Sequence, residues 1–589
     1  MPPHPIGCLR HMAGCSKLVM SPKTDQDAQL MAHGLGRVVT WGHSWILLGP
    51  PLMAFLLVWL AFRITQGVDL SDESYYAIFL DNWLKEGIHA SPFLSLHQTA
   101  ALLIYPPTLL FRQLTGSTDG LILFLRVLYV MTSLAAASCV VAMFRRLGEK
   151  WIAWLAGSLV LAFIPFGLPA PSYNTLGELA TIAGLAGYGC GLLDYHARRR
   201  TCARWLVGSA LAWSIAIVAY PPLILAVAVL LICVVTTIRG SRRLLLCYVG
   251  LVLGFQLAAW SYVIAGLTWA RIRDSISYQS SIAASFDFTN KISLITGAFL
   301  ENHAFTIAAA VAILVGLSRT LLNSAIASIA TGALLLAILF FPSALFLHSH
   351  DAVLLAALTG LGLLGFVWQN EAPRLQIIAV IYITSLSAGT ITAATATHGL
   401  FAFPIGGLLA AIVAVLIPPG LYGESRWAIV SGGALLGLFI SSSASFYYGE
   451  KSYENTTMRK RITQGAFAGL AASTDAARLI EVAQSSLQQW TSRDATFVAV
   501  GRLPGLYLLT GAHPKVLTPF PLTALAGPSG LAATFAYYVN SANRPAIVAI
   551  YTDAYFQPIN PIGPRFDEWY ELVQRDQTPL GVLDIYRRR

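Results

Sequence analysis

The sequence predicts a polytopic α-helical membrane protein, with about thirteen transmembrane helices and a C-terminal extracytoplasmic domain of the α/β or α+β type. Of its 589 residues, 56% are hydrophobic and only 11% are charged, whereas soluble proteins average about 25% charged residues. Many apolar runs also approach the ~20 residues that a helix needs to cross a bilayer. These runs lie at residues 44–62, 121–144, 151–169, 174–193, 204–219, 222–238, 244–266, 297–317, 322–342, 351–369, 375–393, 400–418 and 427–445.

Basic clusters at the ends of these runs predict which ends face the cytosol. The clusters are Arg145-Arg146 with Lys150, Arg198-Arg199-Arg200 with Arg204, Arg239 with Arg242-Arg243, and single arginines at 319, 374 and 426. Because positively charged loops stay in the cytosol, all of them fall on one side if the N-terminus is inside and thirteen runs cross. The net charge of +10 is thus explained by topology rather than by nucleic-acid binding, and residues 1–43 are expected to form a cytosolic tail.

The stretch 98–116 is apolar but is not expected to cross. Counting it as a span would place Arg145 and Arg146 outside, and its Pro106-Pro107 pair argues against a plain helix. It is predicted to be a surface or re-entrant segment. The transmembrane domain then covers residues 44–446, with outer surface helices within 65–118.

A surface helix is predicted directly after the first span. Ser71 is a suitable N-cap, Asp72 and Glu73 follow in the first turn, where the helix dipole favours anions, and Gly87 suits the C-terminal end. One face is apolar, formed by Tyr76, Phe79, Leu80, Trp83 and Leu84. The helix is too short to span a bilayer and should lie on its surface. Two carboxylates are therefore expected at the outer boundary of the membrane, unless they only stabilise the helix N-terminus.

Residues 447–589 are predicted to form the soluble extracytoplasmic domain. A helix should begin at Thr474, strands are expected at 495–500, 546–551 and 581–586, and another helix near 530–540. This region has no candidate acid/base cluster, no Walker-type phosphate loop and no cysteine. It is expected to help recognise the acceptor or close the site without holding an essential catalytic group.

The motif order carries a resemblance to a known superfamily. The segments concerned are Asp72-Glu73-Ser74-Tyr75-Tyr76-Ala77, Gly87, Tyr105-Pro106-Pro107, Gly116 and Leu125-Arg126-Val127. This order resembles the GT-C membrane glycosyltransferases, in particular the protein O-mannosyltransferase and aminoarabinose-transferase group, and the GT-C-like likeness is best over residues 44–150. The group's lysine before the paired proline is missing, with His97 the nearest candidate. A second lysine common in the group is replaced by Ala219-Tyr220-Pro221, which leaves the donor sugar open.

The resemblance implies transfer of a sugar from a polyprenyl-phosphate donor to a hydroxyl or amine on the outer face of the membrane. The acceptor could be a lipid, a polysaccharide or a protein, and neither nucleotide nor nucleic acid takes part. An inverting displacement needs one base for the acceptor proton. Asp72 is predicted to be that base, with Glu73 as its orienting partner or a second acid.

Further residues are predicted to bind the two substrates. Those for the donor phosphate are Arg126, Lys291, His348, His350 and His398, and those for the acceptor are Tyr76, His97 and Tyr105. For Arg126, inside a span, a phosphate or carboxylate partner is favoured over snorkelling to the surface. His348-x-His350-Asp351 has residue types that bind a divalent metal, but phosphate contact is favoured, so no metal ligand is assigned. Arg271 and Arg273 are predicted to be solvated loop charges.

The predicted location is the bacterial inner (plasma) membrane, with the N-terminus cytoplasmic and the C-terminal domain periplasmic. Two other classes of protein stay open. A lipid or sugar transporter would carry ionisable residues inside its spans and paired repeats, whereas the spans here are nearly free of charge. A non-catalytic scaffold would use its outer domain to bind a partner.

Overall fold

The structure is a computed structural model. It describes residues 39–90, 93–148, 150–237, 242–282, 288–318, 324–340, 348–368, 373–396, 398–421, 427–445, 460–492, 494–519, 527–553, 563 and 565–589. The chain divides into two compact units at Pro51. Of the first unit, the structure describes only residues 39–51, which are helical. All contacts below lie within the second unit, Leu52–Arg589.

Twenty α-helices occur in the described residues. They are α1 Val39–Arg63, α2 Asp72–Glu86, α3 Gln98–Thr115, α4 Leu121–Leu147, α5 Lys150–Ala162, α6 Tyr173–His196, α7 Cys202–Ala219, α8 Ile224–Thr237, α9 Arg242–Leu267, α10 Trp269–Ile282, α11 Phe288–Glu301, α12 His303–Ser318, α13 Ser324–Ala337, α14 His348–Leu358, α15 Pro373–Thr395, α16 Pro404–Leu421, α17 Trp427–Ser445, α18 Thr474–Trp490, α19 Gly527–Val539 and α20 Phe566–Trp569. Every apolar run predicted to cross overlaps one or two of these helices.

The helices confirm the class of a polytopic α-helical membrane protein. Within the described residues, six helices are long and apolar enough to cross a bilayer, and a seventh span results if the pair bent by 105° around Asn302 is counted as one. Several other apolar helices have only 10–17 residues. The count of thirteen spans therefore stays a prediction.

Helix α3 corrects the expectation that the paired prolines prevent a plain helix. Both prolines lie inside one continuous helix of 18 residues. A proline at position 106 cannot donate to the carbonyl of Leu102 four residues earlier. The Tyr262 hydroxyl donates to that carbonyl instead, at 3.1 Å, so the proline's missing donor is replaced from another helix. Helix α3 is not among the six spanning candidates.

The buried apolar side chains form two clusters. The larger one joins the membrane helices from α1 to α17. The second combines α2, α3 and the amino-terminal end of α4 with the C-terminal region. Helices α2 and α3 thus share their core with residues 460–589.

Backbone hydrogen bonds also tie the C-terminal region to the segment before α2. The amide of Gly67 donates to the carbonyl of Ala471, at 2.9 Å, and the amide of Ala471 donates to the carbonyl of Thr65, at 2.8 Å. The amide of Gly505 donates to the carbonyl of Leu70, at 2.7 Å. A Cβ at position 505 would lie 2.8 Å from the Leu70 side chain, so this close approach requires glycine.

The C-terminal region contains two sheets. A two-stranded ribbon pairs β1 (Lys460–Arg461) with β2 (Ala471–Ala472), and a mixed five-stranded sheet has the order β4-β3-β5-β7-β6. The strands of the larger sheet are β3 Thr496–Val500, β4 His513–Pro514, β5 Ile547–Thr552, β6 Tyr570–Thr578 and β7 Gly581–Arg588. The predicted strands and both predicted helices are present. Strand β6 was not predicted, because its sequence YELVQRDQT is mostly polar, as suits a solvated edge strand.

Candidate active site

Ser71 occupies the N-cap position of α2, as predicted, but the side chain that accepts the amides of the first turn is that of Asp69. Asp69 accepts the amide of Ser71 on Oδ1, at 2.7 Å, and the amide of Glu73 on Oδ2, at 2.6 Å. Ser71 makes no capping bond with its side chain. Asp69 is 1% exposed. Burial raises its pKa well above the usual value, and the neighbouring charge of Asp72 adds to this effect.

Glu73 forms a buried, bidentate ion pair with Arg126. The Nε of Arg126 lies 2.5 Å from one carboxylate oxygen of Glu73, and its Nη2 lies 2.7 Å from the other. Both residues are at most 2% exposed. The carboxylate partner predicted as one alternative for Arg126 is therefore present, and the side chain does not snorkel.

Arg126 also binds the backbone of the loop between α1 and α2. Its Nη1 donates to the carbonyls of Ile64 and Gln66, both at 2.9 Å, and its Nη2 donates to that of Gly67, at 3.0 Å. With the two bonds to Glu73, these use all five N–H donors of a guanidinium. Arg126 has no donor left for a phosphate in this structure. Its role here is to hold Glu73 and the loop.

Asp72 differs from Glu73 in its surroundings. Successive residues of an α-helix point about 100° apart, and here Glu73 faces the core while Asp72 is exposed. Two adjacent carboxylates with such different environments can take different roles. Of the two, only Asp72 is exposed.

An aromatic wall stands beside Asp72. The His97 ring stacks on Tyr173, with centroids 4.4 Å apart and planes 7° apart, and Tyr75 meets it edge-on at 5.5 Å. The Tyr76 ring lies 6.3 Å from His97, and its hydroxyl accepts the amide of Tyr173, at 3.1 Å. Burial is the main reason why the pKa values of Tyr75 and Tyr76 are raised, and the nearby charge of Asp72 contributes to both.

The structure therefore brings together three of the predicted residues, Asp72, Tyr76 and His97, and adds Tyr173. Tyr173 follows Pro171-Ser172 at the start of a span on the predicted outer side, which is the signal that could have identified it. Tyr105, also predicted to bind acceptor, lies elsewhere: its ring meets Trp83 edge-on at 5.9 Å.

His97 is held as a neutral ring. Its Nδ1 is buried and has no hydrogen-bond partner among the described residues. Burial lowers the pKa of His97 to about 4, because a charged ring would lose its hydration. At neutral pH, His97 therefore offers an uncharged aromatic face.

Two of the predicted phosphate-binding histidines, His350 and His398, lie beside the loop between α5 and α6. His348 and His350 are buried, at 2% and 1% exposure. Nε2 of His350 accepts the amide of Phe166, at 3.1 Å, and the Phe166 ring lies 4.7 Å from His350 and 5.8 Å from His398. His398 is exposed. The loop thus brings His350 and His398 to the two sides of one phenylalanine.

The backbone of this loop is unusual at Phe166. Its φ of 55° lies in the left-handed region, which costs a non-glycine residue about 1–3 kcal/mol. The contacts with both histidines offset this cost. Arg63 donates to the carbonyl of the next residue, Gly167, at 3.3 Å, which holds the loop against the end of α1.

The described residues do not fit a metal ion. No group of three His, Cys, Asp or Glu side chains converges in them. The Nε2 lone pair of His350 is already used by the amide of Phe166.

Three basic residues of the predicted outer loop, Arg271, Arg273 and Lys291, differ in their surroundings. Lys291 belongs to α11, and its side chain lies outside the described residues. Arg271 is not the solvated charge that was predicted, because it donates to the carbonyls of Ile88 and His89, both at 2.8 Å. Arg273 is exposed beside Asp274, as predicted.

Comparison with solved structures finds similarities at 12–14% identity and TM-scores of 0.44–0.47. The chain is similar to the oligosaccharyltransferase of Archaeoglobus fulgidus in complex with Zn and sulfate, at 12% identity and a TM-score of 0.47, over 84% of this chain and 68% of that one. It is also similar to ArnT from Cupriavidus metallidurans in the apo state, at 14% identity and a TM-score of 0.44, over 93% and 98% of the two chains.

A structure of the same ArnT bound to undecaprenyl phosphate gives 14% identity, a TM-score of 0.44, and coverage of 92% and 98%. No protein-family model and no curated protein sequence matches the chain. These are similarities of architecture, and the residue roles below rest on the geometry of this chain.

Proposed function

We propose that this protein is an integral-membrane glycosyltransferase that moves a sugar from a polyprenyl-phosphate donor to an acceptor hydroxyl or amine. The observation that carries the proposal is that the two adjacent carboxylates at the start of α2 have different surroundings. Asp72 is exposed beside the wall of Tyr76, His97 and Tyr173, while Glu73 is buried on Arg126. The contacts of Glu73 thus fix the start of the helix, on which the carboxylate of Asp72 is exposed.

The proposed reaction is a single inverting displacement. The acceptor oxygen or nitrogen attacks the anomeric carbon while the bond from that carbon to the phosphate oxygen breaks, and the electron pair leaves on the polyprenyl phosphate. Asp72 takes the acceptor's proton as general base. The aromatic wall supports the acceptor through Tyr76 and His97.

The supporting residues act by fixing the position of Asp72. Asp69 closes the first turn of α2, and Arg126 joins Glu73 to the carbonyls of the preceding loop. A carboxylate placed to within a fraction of an ångström raises the rate more than one that must be ordered during the reaction. Glu73 is accordingly a positioning residue and not a second acid.

The leaving phosphate needs positive charge or hydrogen-bond donors. Of the residues predicted for this task, Arg126 has all its donors occupied and His350 is buried against Phe166. Phosphate contact is therefore proposed for exposed His398, while Lys291, whose side chain lies outside the described residues, stays a sequence-based prediction. The membrane supplies the lipid part of the donor, and the site faces the outer, periplasmic side of a bacterial inner membrane.

The test is transfer by the purified protein from a panel of polyprenyl-phosphate sugars. Asp72→Asn keeps the size of the side chain but removes the proton acceptor, and the rate should fall 10²–10⁴-fold. Asp475→Asn is the matched control, since Asp475 is also an exposed carboxylate in the first turn of a helix. It should leave the rate unchanged.

A folded Asp72→Asn protein that binds the donor and transfers sugar at the parental rate would refute the proposal. Glu73→Gln should lower the rate of the folded fraction less than Asp72→Asn does.

One observation favours a second candidate, a lipid or sugar transporter. Glu178 in α6 is fully buried, and neither of its carboxylate oxygens has a hydrogen-bond partner among the described residues. An ionisable group inside a span is typical of transport pathways. Sugar-lipid movement across proteoliposomes that is lost in Glu178→Gln and kept in Asp72→Asn would favour this candidate over transfer.

A further inference from the structure

A cavity of about 490 Å³ lies at the ends of α4 and α6 opposite to those that carry Arg126 and Tyr173. It is formed where the carboxyl ends of these two helices meet the amino end of α15. Arg146, Arg199 and Arg374 line it together with His196. The same arginines belong to the clusters that predict the cytosolic side of the membrane.

One buried carboxylate, that of Asp194, binds two of the three arginines. Asp194, whose side chain is 0% exposed, accepts two bonds from Arg146, at 2.9 and 3.2 Å, and one from Arg199, at 3.4 Å. The hydroxyl of Thr201 donates to it as well, at 2.6 Å. Two guanidinium groups therefore share one carboxylate, and the exposed Arg374 adds a third positive charge.

Positive charge at the inner ends of spans is ordinary topology, but a cavity with an apolar wall is not explained by it. Leu193, Leu375 and Ile377 line the same space as the arginines. A ligand that matches both parts is an amphiphile with an anionic head. Basic pockets between helices on the cytosolic side are suited to anionic lipid headgroups.

We propose that this cavity binds the phosphodiester headgroup of an anionic phospholipid of the cytosolic leaflet. The phosphate lies among Arg146, Arg199 and Arg374, and the first carbons of the acyl chains contact Leu375 and Ile377. Free inorganic phosphate has the same charge chemistry but would leave the apolar wall uncovered. The inference depends on the predicted topology and not on the proposed sugar transfer.

The experiment is native mass spectrometry of the delipidated full-length protein titrated with dioleoylphosphatidylglycerol. Arg199→Gln/Arg374→Gln should weaken binding about 30-fold, since each arginine near an anionic surface contributes roughly a factor of five. Both side chains are exposed, so the variant should fold, and Arg146 is left in place on Asp194. Arg243→Gln, an exposed arginine at the start of α9, is the control and should bind like the parental protein.

Two further probes separate the sources of the phosphate. Dioleoylphosphatidylethanolamine, which has no net charge, should bind at least tenfold more weakly than phosphatidylglycerol, and millimolar inorganic phosphate should not displace the bound lipid. Equal weakening in Arg243→Gln, equal binding of the two lipids, or full displacement by inorganic phosphate would each overturn the proposal.

Discussion

At the scale of single residues, Arg126 and Glu73 form the most consequential contact of the described chain. Their bidentate pair is buried and also holds the loop of residues 64–67. Removing one member of a buried pair leaves the other charged and unpaired, which typically costs 3–5 kcal/mol. The pair therefore links stability to the position of Asp72.

The first prediction at this scale concerns Arg126→Gln. It should lower the free energy of unfolding by about 3–5 kcal/mol, and Glu73→Gln/Arg126→Gln should recover part of the loss. The folded fraction should show a lower kcat with little change in donor KM, because the base is misplaced while the donor contacts remain. Thermal unfolding and steady-state kinetics measure both effects.

The exposed pair of Arg575 and Asp584, also bidentate, provides the control. Arg575→Gln should scarcely change either quantity, because exposed pairs contribute little. A kcat loss of the same size in Arg575→Gln would remove the positioning role.

A second prediction follows from the neutral His97. Its folded pKa of about 4 lies below its usual value of 6.5, so between these values the unfolded chain binds a proton that the folded chain does not. Stability should therefore fall by about 1–3 kcal/mol as the pH is lowered from 6.5 to 4. Above pH 6.5, the contribution of His97 to stability should be constant.

The measurement is the difference between the parental protein and His97→Gln across pH 4–8, which cancels the opposite contribution of Asp69. Exposed His89 gives the control His89→Gln, which should keep the parental slope. If His97→Gln also keeps the parental slope, His97 is not the group whose protonation lowers the stability.

At the scale of elements, length and polarity were sufficient to predict most of the fold. Each apolar run overlaps an α-helix. The strands Thr496–Val500 and Ile547–Thr552 lie where the apolar segments of the C-terminal region predicted them. Patterns of this kind are local. Strand β6 was missed because its neighbour, and not its own sequence, decides its pairing.

The same distinction explains what was predicted of the site. Asp72 and Glu73 are adjacent in sequence, so their joint location was predictable. The partner of Arg126 was predicted only by chemical type, and the capping by Asp69 requires a turn that the pattern of Ser71 does not reveal. The stacking of His97 on Tyr173 joins positions far apart in the chain, and no local pattern indicates it.

Helix α3 carries the prediction that belongs to this scale. If it does not cross, Thr118 lies outside and Lys150 inside, with α4 between them, whereas a crossing α3 would exchange the two sides. In a background without native cysteines, an impermeant thiol reagent should label Thr118→Cys from outside and Lys150→Cys only after permeabilisation. Gly148 is unsuitable for this purpose, because its φ of +103° strains any side chain. The reverse pattern, with Lys150→Cys labelled from outside and Thr118→Cys only after permeabilisation, would show that α3 crosses, and labelling of both from the same side would also contradict the thirteen-span topology.

At the scale of the whole molecule, the C-terminal region helps to build the site without supplying its proposed base. Ala471 pairs with both Thr65 and Gly67. The carbonyl of Gly67 also accepts a hydrogen bond from Arg126, as do those of Ile64 and Gln66. Ala471→Pro removes one of the two bonds of Ala471, because proline has no N–H. Transfer should fall at least tenfold, since small displacements of a base are costly.

Ala471→Gly keeps the amide and is the matched control; it should retain most of the activity. Transfer rates of the two variants, each compared at equal folded fraction, decide the matter. Parental activity in folded Ala471→Pro would show that the loop holds its shape without this strand.

The β-bridge between Gln66 and Ala471 also determines when the site can form during synthesis of the chain. The two positions are roughly 400 residues apart, so at 5–20 residues per second the ribosome reaches the second about 20–80 s after the first. During that interval the nascent chain has begun to enter the membrane, yet the loop before Asp72 lacks its partner strand. The site can thus be completed only after Ala471 has been synthesised, and a chain released before that point would carry the acidic pair without the strand that holds its loop.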